Sequence, residues 1–397
     1  MFRPLRSLLL ALFIAAIAAV SFGQIKDPID AADQLYVGRQ YAQAAEAYQK
    51  LFAETADVPT KAKIKFNLGL TFRMLKQYDR SIESFREVLA LDVDDREPGG
   101  HIMELYRNYR PRAQWEIGNS LFANGDYAEA LAAFRTARGK YKINTGCGNC
   151  NESIERRNNV VEGITLEALG RYSEAVIPYL KADEPHLAEL YFNAGQLEDL
   201  REIVEKNIAG LMQKYSWQRY YAIENSPYRN LISAINAYDL EKAGNWQELI
   251  KLAYHGPREF GRNSIPAIIL ARHTDKILPL LRNRIPNHTL VRQNGVIYEI
   301  LALSGKDDSI ALLKELISKH GVGHESLFIL ARTYRLADEK GKKLLRELKP
   351  LVDSSPYALF FLERDDIDEF GRFEIKFPRI GEMPKLPRGI EIPSQAQ

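Results

Sequence analysis

From about residue 29 to residue 362 apolar side chains return at steps of three and four, and Gly, Pro or Asn interrupts them at intervals. That periodicity predicts successive amphipathic helices joined by short turns. In the second half it marks Ile265–Arg284, Thr289–Ser304, Asp308–His320, His324–Asp338 and Lys340–Val352. Pro286-Asn287, Gly305, Gly321-Val322-Gly323 and Gly341 supply the boundaries. The pattern changes at Asp365, where Phe373, Ile375 and Phe377 alternate with Glu374 and Lys376, as in an extended segment. Pro378, Pro384, Pro387 and Pro393 then forbid helix. Two readings of this tail stand side by side: a disordered terminus, or a strip in which Phe373–Phe377 folds back as a pseudo-ligand.

The first half repeats itself. Residues 113–137 align without gaps on 158–182: Gly118 with Gly163, Gly125 with Gly170, Tyr127 with Tyr172, Ala130 with Ala175, Phe134 with Tyr179 and Ala137 with Ala182. Residues 64–88 supply Gly69, Phe72, Tyr78, Ser81 and Phe85 in the same frame, and residues 32–51 a shorter echo in Leu35, Tyr41, Ala44 and Tyr48. Weaker copies place Gly195, Leu197 and Val204, then Ala237, Gly244 and Trp246. Small residues in both helices of a pair let them approach closely. Glycine ends the first helix where positive φ is needed, and the aromatic after it starts the second.

This spacing resembles the tetratricopeptide repeat, a helix–turn–helix unit of about 34 residues. The resemblance implies an all-α solenoid, running over 24–260 and continuing over 261–363 as HEAT-like or degenerate repeats, before a Pro-rich tail at 364–397. It implies protein or extended-peptide binding and no chemistry of its own. The turn tyrosines at 41, 78, 127 and 172 are spaced by 37, 49 and 45 residues, so extra chain loops out near 92–109 and near 140–151. In this family the first helix of each pair lines the binding groove. The corresponding positions here are Lys63, Phe66, Arg73, Arg112, Trp115, Asn119, Phe122 and Arg157, basic groups beside aromatics that suit an extended acidic or C-terminal peptide. Phe66 and Glu116 stand where relatives that clasp a C-terminal carboxylate place other residues, which argues against that specialised mode.

Compartment and charge narrow the partners. Arg3 and Arg6 precede an apolar run, Leu8–Val20, and Ser21-Phe22-Gly23 follows it, as in a cleaved signal peptide over 1–23. We therefore expect export to the periplasm or beyond, without a lipid-anchored cysteine. Those two arginines account for the formal charge of +2, so the mature chain is neutral and has no bulk field for nucleic acid or anionic lipid. No later run is long enough to span a membrane.

The only cysteines, Cys147 and Cys150, sit in TGCGNC. Asn151 stands where haem attachment needs histidine. One pair supplies half a zinc site, and the helical setting lacks the βαβ frame of a redox motif. A local disulfide in an oxidising compartment remains, stiffening the second insertion; thiol–disulfide exchange is the alternative. Two fragments, Gly210–Gln213 and Glu325-Ser326, resemble pieces of soluble lytic transglycosylases, which gives a cell-wall enzyme or its inactive relative as a second alternative. Their order is reversed and more than a hundred residues separate them. His320 and His324 are four apart, but Gly321 and Gly323 break the helix that would align them on a metal. The reading is a scaffold that binds protein, with no catalytic residue, metal or cofactor.

Overall fold

The computed structural model describes residues 28–96, 98–101, 104–143, 145, 148–214, 228–256, 264–284, 291–320, 385–388 and 390. Two compact units divide the chain, residues 1–165 and 166–397. The first holds α1 (Pro28–Val37), α2 (Tyr41–Glu54), α3 (Val58–Met74) and α4 (Tyr78–Ala90). A hairpin of β1 (Pro98–His101) and β2 (Glu104–Tyr106) follows, then α5 (Tyr109–Asn124), α6 (Tyr127–Gly139) and most of α7 (Gly148–Ala168). The second holds α8 (Tyr172–Lys181), α9 (His186–Asn193), α10 (Leu197–Lys214), α11 (Arg229–Lys242), α12 (Trp246–His255), α13 (Ile265–Arg272), α14 (Thr274–Arg284), α15 (Val291–Ser304) and α16 (Asp307–His320). The fold is the all-α repeat array the periodicity predicts, and no helix among the described residues is long and apolar enough to cross a membrane.

The turn tyrosines mark the second helices to the residue: α2, α4, α6 and α8 begin on Tyr41, Tyr78, Tyr127 and Tyr172. Two residues before each stands a left-handed residue: Arg39, Lys76, Gly125 and Gly170. The same step precedes α10, α12 and α16, at Gly195, Gly244 and Gly305. At all of these turns except that of Gly305 the following amide closes the first helix by reaching back five residues, as Asp126 N does to Leu121 O at 3.0 Å and Asn245 N to Leu240 O at 2.9 Å. That 6→1 bond is the Schellman closure. Gly305 extends the left-handed step to α15–α16, where no repeat aligns by sequence, although there Lys306 N bonds Ser304 Oγ at 3.2 Å in place of that closure.

Close approach of paired helices has a visible cause. At Gly69 a Cβ would lie 2.7 Å from the Phe85 ring, and at Gly118 it would lie 2.5 Å from the Phe134 ring. Ser81 Oγ donates to Gly69 O at 2.8 Å and meets Ser120 Oγ at 3.0 Å, which ties α4 to both α3 and α5. Phe85 also shares a core with Phe66, Ile82, Ala113 and Ile117, so each conserved-frame aromatic covers its own glycine and fills the joint to the next pair.

Two expectations need correction. The insertion near 92–109 is not only loop: Pro98 pairs with Tyr106 and His101 with Glu104 in an antiparallel hairpin. Asp95 closes its base, accepting from Arg110 N at 3.1 Å and from Arg110 Nε at 2.8 Å. The helix expected over 265–284 is two, parted at His273. Ser264 caps the first by accepting from Ala267 N at 3.3 Å. The signal peptide, the helices expected at 324–338 and 340–352, and the Phe373–Phe377 strip lie outside the described residues.

In the second unit α9, α11, α13 and α15 pack on one another in turn as one layer. Asp183, itself left-handed, caps α11 from a distant part of the chain by accepting from Asn230 N and Leu231 N, each at 3.0 Å.

Candidate functional site

All eight residues marked for the groove lie in the first unit, on α3, α5 and α7. Phe66 and Trp115 pack their rings between neighbouring helices rather than presenting them to solvent. Phe66 is 3% exposed against Phe85, at 5.4 Å between ring centroids, and Trp115 is 8% exposed against Phe134, at 5.0 Å. Helix–helix packing claims these rings because the glycines beneath Phe85 and Phe134 draw the paired helices together. What lies over them is basic. The Arg112 guanidinium carbon sits 4.6 Å from the Phe66 centroid, and that of Arg157 sits 4.7 Å from Trp115.

These two contacts are one contact repeated. The spacing of 49 that carries Tyr78 to Tyr127 also carries Phe66 to Trp115 and Lys63 to Arg112; the spacing of 45 then carries Arg112 to Arg157. Lys63, Arg112 and Arg157 thus form a column at a single repeat position. From Arg112 onward each cation rests on the aromatic of the preceding repeat, an attraction of about 0.5–2 kcal/mol. Lys63, at the head of the column, lies 3.8 Å from Asp33. Asp33 also accepts from Asn67 Nδ2 at 2.9 Å and from the Tyr48 hydroxyl. Burial first, then Asp33, pushes the Tyr48 phenol well above its ordinary value, so it stays a donor.

The other marked residues serve this frame. Arg73 pairs with Glu116, both nearly buried, and Asn119 Nδ2 donates to the same carboxylate at 3.1 Å. Glu116 therefore neutralises a cation inside the joint. Phe122 packs on Tyr127 at 5.0 Å and covers the turn between α5 and α6. On the far side α7 is held to α6 by Arg138, which reaches Glu155 at 2.9 Å and Glu162 at 3.4 Å. Arg135 bonds Glu162 at 2.8 Å.

Trp115 also lines a pocket of about 90 Å³ between α5, α6, α7 and the second insertion. Pro111, Tyr141, Ile143 and Ile154 give it an apolar wall, with Arg138 and Asn158 at its polar edge. Cys150 is buried in the first turn of α7, while Cys147, its expected partner, lies outside the described residues. Gly210–Gln213, one of the enzyme-like fragments, lies inside α10; Glu325 and His324 lie outside the described residues.

Sequence reasoning misses a second cluster, in the other unit, because its members come from four helices without a shared pattern. His186 Nε2 lies 3.1 Å from Glu167 and its Nδ1 lies 3.5 Å from Glu189; Tyr179 donates to Glu167 at 2.7 Å, and Arg272 pairs with Glu189. Burial pulls the His186 pKa down, but the two carboxylates outweigh it and raise it to about 10, so the imidazole is a cation. Arg272 and His186 hold the Glu189 carboxyl down against its own burial. Two cations and two anions enclosed together make a structural tie.

No curated protein and no solved structure matches the chain significantly. A family model described as the tetratricopeptide repeat matches residues 29–95 and 104–142, the stretch that forms α1–α6 and carries most of the basic column. Helix starts, left-handed turns and glycine-on-aromatic joints agree with that match, and residues 29–142 form tetratricopeptide repeats.

Proposed function

We propose that this protein is an exported scaffold that binds an extended, acidic segment of a protein partner along the Lys63–Arg112–Arg157 column and performs no catalysis. The carrying observation is that the column recurs at one repeat position, with Arg112 and Arg157 set on buried rings. A guanidinium seated over an aromatic ring is held in place by it, and a carboxylate is the anion that guanidinium binds best. The pocket beside Trp115 has room for about three waters or one small aliphatic group, and supplies an apolar subsite next to the last cation of the column. A Cys147–Cys150 disulfide stiffens the pocket's second-insertion wall in this reading, and the apolar run at Leu8–Val20 directs the chain to an oxidising compartment.

Fluorescence anisotropy with labelled acidic peptides tests the reading. Arg112→Glu with Arg157→Glu is expected to weaken binding at least tenfold and to flatten its salt dependence, since charge-assisted contacts dominate. Equal affinities for the double variant and the wild type, both folded, would remove the column from the binding site.

A further inference from the structure

A short stretch of the C-terminal tail is in place against the second unit. Residues 385–388 and 390 run along α9 and α10, and Leu386 is 3% exposed there. Leu386 N donates to Gln196 Oε1 at 2.8 Å and Leu386 O accepts from Gln196 Nε2 at 3.2 Å, so one side-chain amide pairs with both main-chain groups of one residue. That is the pairing a neighbouring β-strand would offer. Pro387 O accepts from the Tyr191 hydroxyl at 2.8 Å, and Ile390 O from Asn207 Nδ2 at 3.3 Å. Arg388 Nε lies 2.9 Å from Asp199 Oδ2.

The receiving residues are arranged for this task. Gln196, Asp199 and Asn207 fall at steps of three and eight along or just before α10, on one stripe of that helix. Asp199 also accepts from Gln196 Nε2 at 2.8 Å, which fixes the amide with its oxygen toward the Leu386 N–H. Burial, then the charge of Asp199, raises the Tyr191 pKa, so its hydroxyl remains a donor for Pro387 O. Proline brings no N–H that would need a partner. Main-chain recognition, one apolar anchor and one basic side chain together make a binding site for extended peptide.

We propose that the α9–α10 strip is a second peptide-binding site, separate from the basic column, which accepts an extended segment of the pattern Leu-Pro-basic-x-Ile. Residues 385–388 and 390 fill it in cis until a partner segment of the same pattern displaces them. Its preference is opposite to that of the column: the column takes acidic peptide, this strip takes basic.

The probe is a labelled peptide of residues 383–392 added to the full chain. A tethered ligand competes at an effective concentration on the order of millimolar, so the wild type should bind the probe weakly. Leu386→Asp in the full chain should tighten binding at least tenfold by vacating the strip. Gln196→Ala added to it should cancel that gain. In the Leu386→Asp background, Asp199→Arg should lose the probe and regain binding to a probe carrying Arg388→Glu. If Leu386→Asp stays folded and gains nothing, the tail is only structural and the proposal fails. If it unfolds, Arg388→Glu in the full chain, at an exposed side chain, should give a smaller gain in the same direction, and no gain there also overturns it. A concentration-dependent wild-type dimer that Leu386→Asp abolishes would assign the in-trans ligand to a second copy and overturn displacement by a partner.

Discussion

Gly118→Ala tests the joint on which the groove depends. The added Cβ would stand 2.5, 2.6 and 2.9 Å from three carbons of the Phe134 ring. Carbon–carbon contacts settle at about 3.5–4.0 Å, so the ring would have to retreat by roughly 1 Å. It has nowhere to go: Phe134 is 3% exposed and Trp115 is packed on it. Overpacking of this kind costs about 1–3 kcal/mol, against a gain of about 1 kcal/mol from replacing glycine inside a helix. With the ring unable to retreat the upper half of that cost applies, and the net expectation is a loss of about 1–2 kcal/mol, read as a lower urea midpoint by far-ultraviolet circular dichroism. Gly139→Ala is the control, with no atom within 4 Å of its added Cβ, and should be neutral or stabilising. In a Phe134→Leu background the Gly118→Ala cost should vanish. A Gly118→Ala protein as stable as the wild type, with Phe134 intact, would refute the claim that glycine sets the helix spacing.

Four further outcomes follow from the same structure. The His186 pKa is raised from 6.5 to about 10, so its stabilisation is complete below pH 6.5 and is lost as pH rises through about 10; thermal midpoints should fall across that window, and a His186→Gln variant with the same slope would contradict the assignment. Lys76→Gly relieves a non-glycine residue at φ 58° and should be neutral or stabilise by up to about 1 kcal/mol, whereas Gly125→Ala, at φ 93°, should lose about 1 kcal/mol; a reversed order in denaturant melts would remove the left-handed turn as the cause. Asp183→Ala takes an acceptor from two amides of α11 and should cost about 1–2 kcal/mol, with hydrogen exchange accelerated first in that helix; uniform acceleration would speak against a local cap. Thiol titration of unfolded, unreduced protein purified from an oxidising compartment should find no free thiol, and two would exclude the disulfide.

Helix starts were the most legible feature, because Tyr41, Tyr78, Tyr127 and Tyr172 each mark a turn in which backbone geometry and side-chain size must agree. Arg39 and Lys76 hid two of those turns, since the pattern led one to look for glycine where a left-handed residue of any type suffices. The helices that carry the marked positions were legible, and the burial of their rings was not. A phenylalanine at the right helical step does not reveal whether a neighbour will cover it; at Phe66 the cover comes from Phe85 and Arg112, both remote in sequence. The β-hairpin gave no alternating signal in PGGH and ELY, and the Asp95–Arg110 clasp that closes its base is a long-range pair. Glu167, His186, Glu189 and Arg272 looked like ordinary helix-surface charges, and only the packing of separate helices encloses them. The tail was legible as extended, but an expectation weighted to aromatic Phe373–Phe377 passed over Leu386, whose main chain rather than its bulk makes most of the contacts.

Arg112 covers the ring of the repeat before its own, and so does Arg157. As the chain emerges N-terminus first, the ring of Phe66 therefore lacks its cation until Arg112 has followed, and that of Trp115 until Arg157 has. Maturation of the surface must then run in one direction, from α3 toward α7. It stops where Val160 occupies the next ring position and offers no π-face to a successor.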